Sequence, residues 1–360
     1  MPKSQSDARK DLESIIGDQA SGVVSSPDVW KTIFKQNARL TFNDEVVEDA
    51  ALFEECSGAV DVLLHTYSAF NAMFPWLPEP AWIRRRMARR RLVRLVRKMV
   101  DQRIRENRKN PERPDDPLQR LLDNGDPYES VVEFFVSSLF ISTTNAHAIA
   151  GQMLNIMAVH PDWQQKIYDE LREAIDSTKA KFVGGTMVDQ LDHLPLEAWE
   201  SKLPTMALCV RETIRMWTSF SVTRLNTSDQ EIAIPDTHYV IPPKTFVIYN
   251  STEVNFSEKL YPNPTEYDPS RFLEGREEFK REHFGFLGWG QGQHACMGTR
   301  WAKLQQYMIV AYAVAIYKWN SCQADGTPDP FIKHRRYLDS DSAFKLPPAY
   351  AKLERRDYIN

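Results

Sequence analysis

The sequence has no paired cysteines. Cys56, Cys209, Cys296 and Cys322 are scattered through 360 residues with no Cys-x-x-Cys among them. That excludes a disulfide scaffold and the common zinc modules, and it suits a reducing compartment. No apolar run approaches the ~18 residues of a membrane span, and the opening Met1-Pro-Lys-Ser-Gln-Ser lacks the apolar stretch of a secretory signal. Neither sign of charge dominates, since the net charge is −4; composition therefore makes no electrostatic case for nucleic acid. What remains, 42% hydrophobic and 26% charged, is a globular chain long enough for one large core or two domains.

Glycine is scarce at 14 residues, yet four glycines fall within the eleven residues from Gly288 to Gly298. They belong to Phe284-Gly285-Phe286-Leu287-Gly288-Trp289-Gly290-Gln291-Gly292-Gln293-His294-Ala295-Cys296-Met297-Gly298, which runs directly into an apolar helical stretch from Thr299 to Tyr317. Glycine permits tight turning and close approach of a flat ligand. Cys296 stands where the first amides of that helix favour a thiolate. Such a sulfur is a nucleophile, a zinc ligand or an iron ligand. Zinc needs further ligands at short spacing, which are lacking. A nucleophile needs a base, for which His294 is a candidate. Gly290 to Ala295 imitates a dinucleotide fingerprint, but no strand precedes it and no acid follows about twenty residues on.

The run Trp289-Gly-Gln-Gly292-Gln-His294-Ala-Cys296-Met-Gly298 resembles the haem-binding loop of the cytochrome P-450 family, and Arg300-Trp301-Ala302-Lys303 looks like its fungal members. Two companions stand in the family's order: Glu212-Thr-Ile-Arg215, and Asp268-Pro-Ser-Arg271-Phe272. The resemblance covers most of the chain. It implies a mainly α fold with a minor β-sheet, one haem-thiolate domain over residues 1–360, and haem b (iron protoporphyrin IX) held by Cys296. Trp289, Gly290, Gly292 and Gly298 would shape the haem loop, and His294 and Arg224 would meet the propionates. Glu212, Arg215 and Arg271 would form a structural triad. The family's usual N-terminal portion is not recognisable, so a shortened product is expected.

Asp126-Pro127-Tyr128-Glu129 opens a helix that nothing breaks before Pro161. Its middle, Ser142-Thr143-Thr144-Asn145-Ala146-His147, is polar where a buried helix should be apolar. One reading has these hydroxyls bonding back to carbonyls a turn earlier. The resemblance instead places Thr144 at the position of the family's acid and Asn145 at that of its threonine. Thr143 or an ordered water would then serve oxygen activation, with His147 an ordinary helix residue.

Elsewhere the period of Trp30, Ile33, Phe34 and Leu40 reads as helix within two helical segments spanning 4–52. The basic run Arg84 to Lys98 reads first as a solvated helix face, with Met87, Leu92, Leu95, Val96 and Met99 buried. A sharper reading is peripheral contact with an anionic membrane, aided by Phe74, Trp76 and Leu77. Residues 107–116 read as a surface linker. Helices are expected at 162–176 and 203–217, and short strands within 229–250.

The implied activity is insertion of one oxygen atom into a lipophilic small molecule, with a place in secondary metabolism. Electrons would come from an NADPH-dependent flavoprotein reductase docking near Lys280, Arg281, Arg300 and Lys303. The alternatives are a haem-thiolate isomerase or dehydratase that does not use dioxygen, and a remnant that does not hold haem. The family implies the endoplasmic reticulum membrane; with no anchor in this sequence, the expected location is cytoplasmic or peripheral.

Overall fold

The computed structural model describes residues 2–15, 22–25, 29–66, 73–74, 76–77, 79–110, 113–178, 185–218, 221–329 and 349–356. Expectations touching Ser26, Pro27, Pro75, Pro78, Gly184, Ser219 and Phe220 fall outside them. Contacts cluster into two compact units, one formed by Pro204–Thr299 and the other by most of the remaining chain.

The larger unit is helical. It opens with α1 (Pro2–Glu13), a short strand β1 (Val23–Ser25), α2 (Trp30–Thr41), α3 (Glu45–Glu48) and α4 (Ala50–His65). Asp49 caps α4 by accepting from the amides of Ala51 and Leu52, which supplies partners to donors the helix start leaves open. The two helical segments expected over 4–52 are thus four helices and a strand.

Proline at the first turn starts α5 (Pro80–Asn107), and Asp116 caps the short α6 (Pro117–Asp123). In α5, Leu92, Val96 and Met99 are buried at helical spacing, with most of the arginines on the other face and Arg103 buried. Met87 does not join them: it is 63% exposed, because the core-facing stripe begins only at Ala88. The expected linker overlaps the end of α5 by one residue, Asn107, and residues 113–115 carry no regular structure.

The expected long helix is α7 (Tyr128–Val159), 32 residues or roughly 48 Å, and Pro161 opens α8 (Pro161–Ser177). Phe135 and Leu139 on α7 pack with Phe34, Phe42, Leu92 and Val96 in one buried cluster. Short helices α9 (Met187–Leu191) and α10 (Leu196–Ser201) follow. At the level of the polar middle of α7, Asn37 donates to the carbonyl of Ser142 at 2.9 Å. Its Oδ1 accepts from Trp301 Nε1 at 2.9 Å and Gln305 Nε2 at 3.1 Å. Asn37 is fully buried, so these partners satisfy an amide that would otherwise be costly.

The second unit holds α11 (Pro204–Trp217), β2 (Ser221–Leu225), β3 (Ile232–Ala233), β4 (Val240–Ile241), β5 (Phe246–Asn250) and α12 (Ser251–Asn255). β2 pairs antiparallel with β5, Thr223 opposite Ile248, and β3 pairs with β4. Three of these strands lie where the sequence puts them; β2 lies before the stretch expected to hold strands.

The chain then returns to the larger unit through α13 (Thr299–Ile316), β6 (Tyr317–Cys322) and β7 (Tyr350–Arg355). The helix ends one residue early because Tyr317 begins the strand. β1, β7 and β6 form an antiparallel sheet in that order. Among the described residues no helix is long and apolar enough to cross a membrane.

Candidate functional site

The cysteine loop is anchored by a buried ionic cluster. Glu212 and Arg215, one turn apart on α11, are both 0% exposed and joined by two bonds of 2.7 Å. Arg271 comes in from the turn Pro269–Phe272 and meets the same carboxylate at 3.3 Å, while the amide of Asp268 donates to it at 3.0 Å. The remaining donors of Arg215 and Arg271 are absorbed by the carbonyls of Asn255, Pro262, Asn263 and Glu266. Three residues foreseen from the sequence are therefore together.

They would carry a net positive charge by themselves. The balance comes from Glu278, which was not foreseen: it is 2% exposed, pairs with Arg271 at 3.0 Å and with Arg276. Arg276 in turn pairs with Asp268 at 2.7 Å. Three arginines thus face three carboxylates, the condition under which burial of charge is tolerated. Burial works to raise the Asp268 carboxyl, but the hydrogen bond from Ser270 and the Arg276 pair outweigh it and hold it below its ordinary range.

An aromatic layer adjoins the cluster and leads into the loop. The Arg211 guanidinium lies over Phe272, Phe279 and Phe286 at 5.2, 5.3 and 5.8 Å, each within cation–π range. Tyr261, fully buried, donates its hydroxyl to the carbonyl of Gly285 at 2.7 Å. Two of the glycines make room here, Gly285 for backbone and Gly288 for side chains. A Cβ on Gly285 would lie 2.2 Å from the carbonyl oxygen of Phe279, and one on Gly288 would lie 2.2 Å from Ile214 of α11.

Beyond Gly288 the loop leaves the packed layer. Gly290 and Gly292 adopt φ of +69° and +70°, where a side chain is strained, and the amide of Cys296 donates to the carbonyl of Trp289 at 2.7 Å. Trp289 is half-buried, while Gly290 to Gly298 are exposed, Cys296 among them. The hydroxyl of Thr299 donates to the carbonyl of Cys296 at 2.9 Å, and Gly298 approaches its sulfur no closer than about 4 Å with an added Cβ. His294 ends the exposed turn Gly292–His294. Arg224 on β2 is exposed, donating to the carbonyl of Thr223 at 3.0 Å.

The second set of foreseen residues sits on α7. The hydroxyl of Thr143 donates to Leu139 O at 2.9 Å and that of Thr144 to Phe140 O at 2.6 Å, the back-bonding that relieves a polar mid-helix side chain. Both are buried, whereas Asn145 and Ile141, one turn apart, lie on the exposed stripe of the helix. His147 is buried with Nδ1 3.2 Å from Thr143 O and its ring edge-on to Trp30 at 5.4 Å. Burial pulls its imidazole below the ordinary value of 6.5.

The donor set fits haem. No group of three or more His, Cys, Asp or Glu able to hold a metal ion occurs among the described residues, so a caged zinc has no ligands. A single exposed thiol on a glycine turn suits a metal that brings its own equatorial ligands, as porphyrin iron does. The absence of a side chain on Gly292, whose added Cβ would meet nothing within 4 Å, leaves that face open to a flat group.

Comparison with known proteins agrees. The cytochrome P-450 family model matches residues 15–348. The monooxygenase nsrP of Aspergillus novofumigatus is 46% identical over an alignment covering 100% of this chain and 68% of its own length. For claM of Passalora fulva the identity is 42%, covering 99% and 67%, and for AacuE of Aspergillus aculeatus 43%, covering 94% and 67%. The chain thus spans about two thirds of the length of these relatives. Among solved structures, retinoic acid-bound cyanobacterial CYP120A1 superimposes with a TM-score of 0.78 at 18% identity, covering 99% of this chain and 74% of that one; this likeness shows the fold. The expected mainly helical architecture with small antiparallel sheets is what the structure has. On these grounds the chain belongs to the cytochrome P-450 family, as a fungal-type oxidoreductase of the monooxygenase class with haem as its cofactor.

Proposed function

We propose that this chain inserts one atom of dioxygen into a lipophilic small molecule of secondary metabolism, with Cys296 as the residue that would hold the haem iron. The observation that carries this reading is the exposed Cys296 thiol, presented by a loop whose root is fixed by the Glu212–Arg215–Arg271 cluster. Bound haem supplies oxygen activation, to which a thiolate ligand contributes electron density. The chain's own residues do the rest. His294 and Arg224 are assigned the propionates, a role that suits the forked donors of arginine. Gly290, Gly292 and Gly298 keep the turn thin, and Trp289 shields the sulfur from water. Thr143, Thr144 and Asn145 are assigned to the oxygen-binding side. There the exposed Asn145 amide orients water, since the hydroxyls of Thr143 and Thr144 already donate to helix carbonyls.

Electrons come from an NADPH-dependent flavoprotein reductase, and Lys280, Arg281, Arg300 and Lys303 are the basic residues assigned to meet it. Arg300 already pairs with Glu200 and Lys280 with Glu277, so docking exchanges partners at those two. The exposed Trp76, Leu77, Ile83 and Met87, close in sequence to Arg84 and Arg90, support peripheral contact with an anionic membrane surface.

The test is spectroscopic. Haem-reconstituted protein, reduced and exposed to carbon monoxide, should give the red-shifted band of thiolate ligation, and Cys296→Ala should lose it while remaining folded. Persistence of that band in Cys296→Ala, or its absence from the parent, would sink the assignment.

A further inference from the structure

Helix α5 carries eleven lysine and arginine residues against two acids, and its neighbours compensate only part of that charge. Arg89 pairs with Glu133 of α7 at 2.7 Å and Arg97 with Glu129 of α7 at 2.8 Å. Arg91 reaches Glu55 of α4 at 3.5 Å. The buried Arg103 is held by Asp116 at 2.8 Å and Glu45 at 3.1 Å, and Arg85 donates to the carbonyl of Leu63. These cations all reach toward another element.

The outward face is different. Leu92, Val96 and Met99 mark the buried side. With 3.6 residues per turn, the opposite side is the line Ile83, Met87, Arg90, Arg94 and Lys98, every one of them exposed. It runs roughly 22 Å, and both acids of the helix, Asp101 and Glu106, come after it. Arg90, Arg94 and Lys98 make no hydrogen bond or ion pair with any of the described residues. Like charges four apart destabilise a helix, so this line is a cost that nothing among the described residues offsets. Its start is apolar, and the exposed Trp76 and Leu77 lie just before it in the chain.

We infer that α5 lies along the surface of an anionic phospholipid bilayer, with Arg90, Arg94 and Lys98 at the level of the head groups and Ile83 and Met87 below them. This deepens the peripheral membrane contact proposed above and rests on it; the added content is that lipid charge decides the attachment and that one face of one helix reads it. Anionic head groups supply the counter-charges the line lacks, whereas neutral lipid supplies none. The apolar start of the same line favours a bilayer over an acidic protein, since a bilayer surface takes up apolar and cationic side chains side by side.

The full-length protein is sedimented with vesicles of phosphatidylcholine alone and of three parts phosphatidylcholine to one part phosphatidylserine. Binding is expected to the second only, and to be released when salt rises from about 0.1 M to about 1 M, which shortens the screening length from about 10 Å to about 3 Å. Removing a cation near the surface weakens such binding about fivefold, so Arg90→Gln with Arg94→Gln should weaken it about 25-fold. Arg89→Gln with Arg97→Gln removes the same charge from the paired positions and should weaken it less than fivefold. Thermal melts establish that both double variants are folded; the first should be at least as stable as the parent, because a repulsion is gone. Equal binding to both vesicles overturns the inference and leaves the membrane contact to the apolar residues. Binding to neither overturns both and leaves the line to an acidic protein. Equal weakening by the two double variants also overturns the inference, since total charge and not this face would then be read. None of these outcomes alters the carbon monoxide band, on which the haem assignment is judged.

Discussion

Replacing Glu278 by glutamine preserves its shape and removes one negative charge from the buried cluster. Its partner Arg271 is 2% exposed in its side chain and retains Glu212 only at 3.3 Å, so water cannot compensate the loss. Breaking a buried pair costs about 3–5 kcal/mol. Glutamine keeps one carbonyl oxygen within reach of Arg271, which puts the expected cost at the lower end, about 3 kcal/mol. The Arg276 side chain is 40% exposed, and its share is screened by solvent. At roughly 1.3 °C per kcal/mol for a chain of this size, Glu278→Gln should unfold about 4 °C below the parent in a thermal melt followed by circular dichroism. Arg276→Gln, which loses only half-exposed contacts, should cost less than half as much. A Glu278→Gln melt within about 2 °C of the parent, or a larger loss in Arg276→Gln, would refute the claim that Glu278 is the counter-ion of the cluster.

Other outcomes follow from the same geometry. Gly288→Ala forces a methyl to 2.2 Å from Ile214, and overpacking of this kind costs about 1–3 kcal/mol. Gly285→Ala presses on the Phe279 backbone, which yields less than a side chain, so it should lose more stability and more bound haem per protein than Gly288→Ala; equal losses would count against the packing argument. For His147, burial lowers the folded pKa below its ordinary 6.5. The unfolded chain then takes up the proton first, and stability is complete above about pH 6.5 and declines as pH falls toward the folded value. Urea midpoints measured between pH 7 and 5 should fall in the parent and fall less in His147→Phe, which keeps an aromatic edge for Trp30. Asp268 has a depressed folded pKa, so its contribution is present above about pH 4 and is lost only on further acidification. Asp268→Asn should therefore flatten the stability curve below pH 4 and leave the His147 window unchanged.

The parts of the site legible in the sequence are those whose chemistry requires adjacent residues. Cys296 stood out because glycines cluster before it, and α7 because no breaker interrupts 32 residues. Glu212 and Arg215 share a helix face, so their spacing implies their contact. Glu278 was not legible: it lies in Glu274 to Glu282 among several acids and bases, and only the fold decides which of them is buried. Val23–Ser25 carries too few residues for a strand signal, and its partner is at the other end of the sequence. The hydroxyls of Thr143 and Thr144 had two physically sound destinations, and their donation to Leu139 and Phe140 is settled only by rotamer.

The small sheet that joins Val23–Ser25 to Tyr350–Arg355 closes a loop of roughly 325 residues. Closing it costs on the order of 5 kcal/mol in chain entropy. On the ribosome the early segment must wait, unzipped, until the codons for Tyr350–Arg355 have been read. A premature stop before Tyr350 would therefore do its damage far upstream, by depriving the first helices of the strand that fastens them.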